Sequence, residues 1–282
     1  MARILIGTEW APDRWPVAVA SWHTNEGGPT GLHGPSSIQR ATTGKVARAW
    51  VIPADAPAPK LEGVRALGAK VVTYRRGADD RDALVTERAE REGLAVVPSA
   101  NSRHIMAGAG TAALELLTDH PEIETLVVPV GGGGPAAGSA VIAKYLNPGI
   151  RVYGVESEEG ADTLLSLRCG QRIALPEAPS TIADGLGHAS PAPMTWAVNS
   201  RRLDGIVTVS DRDIIAAMAF AFRHLKIVAE PSGAVALAAV LTGAVPHESG
   251  TIGIMISGGG VDLPTFHRLI SATPHRKAPA HA

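Results

Sequence analysis

Four consecutive glycines, Gly131, Gly132, Gly133 and Gly134, stand directly behind the aliphatic run LVVPV and directly ahead of PAAGSAVIAKYL. A glycine run gives up conformational entropy in return for a main chain that can reach positive φ and that a ligand can approach closely. The run before it predicts a buried strand, and the stretch after it predicts a helix starting on Pro135 and stopping near Gly149. Strand, glycine loop and helix N-terminus together make an anion site, because free N–H groups and the positive end of the helix dipole point the same way. Phosphate is the expected anion.

A second aliphatic run reaches glycines in IGIMISGGGVDL, where Ser257 precedes Gly258, Gly259 and Gly260. Ahead of it, Glu230, Pro231 and Ser232 open a helix of small residues, and STIADGLG carries Asp184 and Gly185 in turn-forming order. For the first loop alone a dinucleotide site of a nicotinamide-dependent dehydrogenase competes: Gly132, Gly134 and Ala137 fit G-x-G-x-x-A, and Glu156 ends the next strand where a ribose-binding acid would sit. Two glycine-ended strands suit a planar ligand held at both ends better than one stretched dinucleotide.

The elements that must position these loops alternate. WVIP, APKLEGVRALG, AKVVTY, DDRDALVTERAEREG and LAVVP take turns as short aliphatic and longer amphipathic segments. The pattern resumes with AGTAALELLTDH, TLVVPV, the glycine helix, RVYGVE, GADTLLSLRCG, GIVTVS, DRDIIAAMAFAFRHL, SGAVALAAVLTGA and TIGIMIS. Alternation of this kind predicts βαβ units and an α/β fold of parallel-rich sheets covered by helices. Two blocks are expected, a smaller α/β domain over 35–117 and a larger one over 118–275, joined by 1–34 and followed by a polar tail over 276–282. The first fifty residues hold four of the five tryptophans and show no clean period.

Hydrophobic residues make up 45% of the chain and the net charge is −1, which excludes a disordered chain and leaves no electrostatic footprint for nucleic acid. No apolar run approaches the length of about 18 residues that spans a bilayer, and the N-terminus lacks a basic-then-apolar leader, so a cytoplasmic protein with no membrane partner is expected. Cys169 is the only cysteine, and a buried structural thiol is its expected role.

The segments VIPADAPAPKLEGVRALGAKVV, MAGAGTAALELL, VVPVGGGGPAAG, VYGVE, TIADGL, VSD, EPSGA and SGGGVDL resemble, in order and spacing, the fold type II pyridoxal 5'-phosphate enzymes. The likeness is to the threonine and serine dehydratases with their serine racemase relatives, in the tryptophan synthase beta-like superfamily, and runs over residues 50 to 265. It implies a larger and a smaller α/β domain with the cofactor between them, and elimination of water and ammonia from a small hydroxy amino acid to leave a 2-oxo acid. On this resemblance Gly131 to Gly134 bind the cofactor phosphate, Ser257 hydrogen-bonds the pyridine nitrogen, and Glu230 stands near the cofactor rim. A hydroxyl partner makes the ring a moderate electron sink, suited to β-elimination. Glu156, Asp162 and the carbonyl of Gly160 match the family's divalent cation site for Mg²⁺ or Ca²⁺, whose hard oxygen donors compete with the plainer reading of a solvated acidic turn. Family members are usually homodimers.

Three departures stand out. Pro135 removes an N–H that the family offers to the phosphate. Pro29, Thr30 and Gly31 match the start of the family's Pro-Thr-Gly-Ser-Phe-Lys stretch, but Leu32, His33 and Gly34 follow, so the Schiff-base lysine is missing. The Ser-Gly-Asn-His loop that should come next is missing too. Codons able to encode residues 40–45 spell Gly-Asn-His-Gly-Gln in a shifted frame, so a frame change is one account of its absence. Lys45 is the only lysine in the region that should supply the amine. Lys60 is expected on a helix surface, Lys144 mid-helix and Lys226 without a catalytic role. The chain as written is therefore expected to be inactive, a scaffold that keeps the fold.

Overall fold

The computed structural model describes residues 3–6, 49–66, 68–246 and 250–271. Residues 7–48, with the unassigned tryptophan-rich stretch and Lys45, lie outside the described residues, as does Lys277. The first strand, β1 (Arg3–Ile6), pairs parallel with a strand near the other end of the chain. Next come β2 (Ala49–Pro53), α1 (Ala58–Ala66) and β3 (Lys70–Tyr74), in which β2 and β3 form a parallel two-stranded sheet. Helix α2 (Arg81–Glu92) follows, capped by the Asp80 carboxylate on the N–H groups of Asp82 and Ala83 and closed by Gly93 at φ 64°.

The larger sheet begins after α3 (Arg103–Asp119) with β4 (Ile123–Pro129), α4 (Gly134–Leu146) and β5 (Arg151–Ser157). It continues through α5 (Asp162–Cys169), α6 (Pro193–Arg202), β6 (Gly205–Val209), α7 (Asp211–Phe220), α8 (Pro231–Thr242), β7 (Thr251–Ile254) and α9 (Leu263–Ser271). Its strand order is β1-β7-β4-β5-β6, with every pairing parallel. Such a sheet must be covered on both faces, and β4 is buried at every position except Glu124. Helix α8 is apolar all round, and every residue from 231 to 239 is buried, as that composition demands. Helices α3 and α4 touch where neither has a side chain: a Cβ on Gly138 would stand 2.1 Å from the Met106 carbonyl oxygen, and one on Gly110 2.8 Å from that of Gly138.

Three expectations need correction. LAVVP is not a strand: it has no ladder partner among the described residues, and Val96 and Val97 are exposed. Strand propensity without hydrogen-bond partners leaves the backbone to water. Cys169 is exposed at the end of α5 rather than buried. Two helices were not anticipated, α6 behind Pro193 and α9 behind Asp262.

Candidate active site

After β4 the chain moves outward through β5 and β6, then returns to lay β7 on the other side of β4. The order therefore reverses between β4 and β7, and open α/β sheets bind ligands in the crevice at the carboxyl ends of such a strand pair. Both glycine loops leave from those ends.

All four glycines of the first loop are buried. Gly133, at φ 84°, is the N-cap of α4, a left-handed conformation that a side chain would strain. Behind it, Thr195 Oγ1 donates to the Gly132 carbonyl at 2.7 Å and Asn199 Nδ2 donates to the Gly133 carbonyl at 3.2 Å. Both come from α6, so this helix holds the two carbonyls away from the crevice. Among the described residues no acceptor takes the N–H of Gly132 or Gly133, as an anion cradle requires. Space is tight: a Cβ on Gly132 would lie 2.9 Å from the Ala100 Cβ, and one on Gly131 2.9 Å from the Gly185 carbonyl oxygen.

At the second loop the Ser257 hydroxyl is buried and has no hydrogen-bond partner among the described residues. A buried orphan hydroxyl costs about 1–3 kcal/mol, which a polar ligand atom would recover. Glu230 N-caps α8 and donates its N–H to the Gly258 carbonyl at 2.9 Å, and a Cβ on Gly258 would collide with the Glu230 carboxylate. Glu230 and Ser257 thus share one corner.

Lys60 also reaches that corner, and the expected surface position is wrong. Its Nζ lies 2.9 Å and 3.0 Å from the two Asp184 carboxylate oxygens and 3.2 Å from Glu230 Oε2, with only 14% of the side chain exposed. Burial works to lower the Lys60 pKa, but the charges of Glu230 and Asp184 and the hydrogen bonds to them outweigh it and hold the ammonium above its ordinary range. One lysine thereby ties α1 to two acidic residues of the larger sheet's loops. Lys144 instead pairs with Asp204 at 2.8 Å, and Lys226 donates to the Arg223 carbonyl.

Glu156 and Asp162 meet in the interior, each fully buried. Glu156 Oε1 and Oε2 accept the N–H groups of Thr163 and Leu164, both at 2.9 Å, so Glu156 caps α5 from the end of β5. Both Asp162 carboxylate oxygens lack a hydrogen-bond partner among the described residues. Burial, then the Glu156 charge, pushes the Asp162 carboxyl up to about 9. Burial raises Glu156 as well, against the N–H bonds that oppose it. This is no solvated turn. Gly160 is buried in the short turn between them. Two buried carboxyls with orphan oxygens fit a divalent cation completed by carbonyls, although no group of three His, Cys, Asp or Glu among the described residues could hold one alone.

Sequence reasoning passed over Thr195, Asn199, Ala100 and His188. Pro193 at the first turn of α6 was the available signal for the first two. His188 would lie 3.4 Å, through Nε2, from a Cβ on Gly132, its Nδ1 is buried without a partner among the described residues, and burial with the nearby Arg81 and Arg76 charges lowers its pKa to about 4.

The comparisons agree with this geometry. The chain is 38% identical over 221 residues to a serine racemase of Schizosaccharomyces pombe, covering 78% of this chain and 68% of that one. It is 35% identical over 242 residues to an L-threo-3-hydroxyaspartate ammonia-lyase of Saccharomyces cerevisiae, covering 86% and 74%. A solved threonine deaminase structure, its source given as T.th., superposes with a TM-score of 0.77 at 31% identity, over 93% of this chain and 89% of that one. The dinucleotide alternative finds no support in these relatives. With residues 41–258 matching the family described as "Pyridoxal-phosphate dependent enzyme", the chain belongs to that family, in its fold type II branch of serine racemase-like and threonine dehydratase-like proteins.

Proposed function

We propose that this protein holds pyridoxal 5'-phosphate in the crevice between β4 and β7 in the manner of a hydroxy amino acid ammonia-lyase, and that the chain as written binds without turning over. The observation that carries this is the pairing of a phosphate-ready glycine loop with an orphan hydroxyl at neighbouring strand ends. When bound, the cofactor supplies the electron sink that α,β-elimination of water from a serine or threonine class substrate needs, with release of ammonia and a 2-oxo acid. Gly131 to Gly134 hold its phosphate. Ser257 donates to or accepts from its ring nitrogen without fixing a full charge there, as a carboxylate would. Glu230, anchored by Lys60, borders the ring. Glu156, Asp162 and the Gly160 carbonyl hold Mg²⁺ or Ca²⁺ that brace β5 against α5. A cytoplasmic homodimer is part of the same reading, taken from the resemblance.

Turnover needs an amine to hold the cofactor aldehyde and move the α-proton, and no lysine follows Gly31 at the family's position. Losing a proton-transfer group typically costs 10²–10⁴-fold in rate. Lys60 does not stand in, because a paired ammonium is a poor nucleophile. Absorption titration with pyridoxal phosphate, followed by borohydride reduction and peptide mapping, tests both halves. Saturable binding that Ser257→Ala weakens, without 2-oxo acid release from serine or threonine, is expected. Absence of saturable binding refutes the cofactor site, and one stoichiometric lysine adduct with 2-oxo acid release refutes the missing amine.

A further inference from the structure

Beside the glycine loop, a cavity of about 320 Å³ opens between the β3–α2 turn and the segment around His188, lined by Tyr74, Arg76, Arg81, Asp82, Gly187 and His188 among others. Its size falls within the roughly 300–1,000 Å³ of small-molecule sites. The two arginines and the histidine come from separate parts of the chain and have no part in the phosphate or ring contacts above.

Four aspartates stand at or near this cavity, yet each is committed elsewhere. Asp79 is held by Arg75, through its backbone N–H at 2.7 Å and its guanidinium at 2.9 Å. Asp80 is spent capping α2, with both bonds at 3.0 Å. Asp55 pairs with Arg76 Nε at 3.1 Å, leaving Arg76 Nη1 to donate to the Gly187 carbonyl at 3.2 Å and so fix the loop that carries His188. Asp82 pairs with Arg81 at 2.8 Å, but its side chain is 80% exposed, and a solvated pair of this kind is readily exchanged for a sheltered one. The inner wall is accordingly positive. The charges that act on His188 are Arg81 and Arg76, with no carboxylate among them.

We propose that this cavity takes the side-chain carboxylate of a dicarboxylic amino acid, so that the site's substrate class is the 3-hydroxyaspartate type rather than serine or threonine. Arg81 leaves Asp82 to form a two-point contact with that carboxylate, Arg76 contributes charge, and the free His188 Nδ1 edge supplies a neutral polar wall. His188 lies against Gly132, which sets the carboxylate next to the cofactor loop, at the far end of a four-carbon substrate whose reacting carbons face the crevice. The proposal rests on the cofactor site described above. It agrees with the presence, among the chain's relatives, of proteins described as L-threo-3-hydroxyaspartate ammonia-lyases.

The test uses ligands that need no turnover. The full chain, saturated with pyridoxal phosphate as shown by absorption, is titrated calorimetrically with succinate and with butyrate, which has the same carbon skeleton and one carboxylate fewer. Succinate is expected to bind at least tenfold more tightly, Arg81→Gln to abolish that preference, and Arg81→Lys to restore part of it, with cofactor affinity unchanged in both variants. Equal binding of succinate and butyrate overturns the proposal, as does displacement of succinate by inorganic phosphate at equal concentration, which marks a general anion site. Because cofactor saturation is measured first, its absence counts against the cofactor reading alone. If Arg81→Gln unfolds, Arg76→Gln is expected to weaken succinate binding by a smaller factor, and no change there also overturns it.

Discussion

The buried Glu156 and Asp162 pair makes stability without metal depend on pH in an unusual direction. Asp162 in the folded chain is pushed up to about 9, far above the ordinary carboxylate range, by burial and by the Glu156 charge. A folded pKa above the unfolded one means that the native state keeps a proton which the unfolded chain has released. Below about pH 4 both states are protonated and nothing is lost. Between there and the folded value, each pH unit removes up to about 1.4 kcal/mol of stability, and above it the loss is complete. From pH 5 to pH 7 this is a loss of at most ~3 kcal/mol, shared between two groups that titrate as one pair. Thermal unfolding in EDTA across this range should show Tm falling as pH rises, by several degrees for a chain of this size. Mg²⁺ or Ca²⁺ should restore it, since a ligand at 100 times its Kd adds about 2.7 kcal/mol to the folded state. Asp162→Asn should be flatter with pH, more stable than the parent at pH 8 in EDTA, and indifferent to the cation. A Tm in EDTA that does not change from pH 5 to pH 8 and matches that of Asp162→Asn would refute the reasoning, because the carboxyl would then be solvated in the folded chain.

Gly132→Leu should abolish saturable cofactor absorption while far-ultraviolet dichroism keeps its helical signal, since the side chain would fill the space 2.9 Å from Ala100; retained affinity would place the phosphate elsewhere. Gly138→Ala puts a methyl group on the Met106 carbonyl and should lower stability by ~1–3 kcal/mol in denaturant titration, and an unchanged midpoint would mean that α3 and α4 separate freely. Lys60→Met leaves Asp184 and Glu230 facing each other and should cost ~3 kcal/mol, at the lower end for a broken buried pair because the site is partly wet; stability equal to the parent's would show the network to be idle.

Local chemistry made much of this protein legible in one dimension. Alternating apolar runs and amphipathic segments specify parallel βαβ units, because a strand buried on both faces must read as continuous aliphatic residues, as LVV in β4 does. Glycine runs at strand ends mark where main chain must approach something closely, and Pro231 and Pro135 mark helix starts, because these constraints act within a few residues. The failures share one cause. LAVVP has the composition of a strand, but its hydrogen-bond partners must come from elsewhere in the chain. Lys60 looks like a surface lysine beside its neighbours, while its partners Asp184 and Glu230 lie more than a hundred residues away. Thr195 and Asn199 turn the Gly132 and Gly133 carbonyls from across the fold, and His188 meets Arg76 and Arg81 only once the two sheets are in place. Side-chain type and short-range spacing are written in the sequence; which charges and orphan polar atoms face one another depends on how distant segments converge, and that the tertiary structure alone decided.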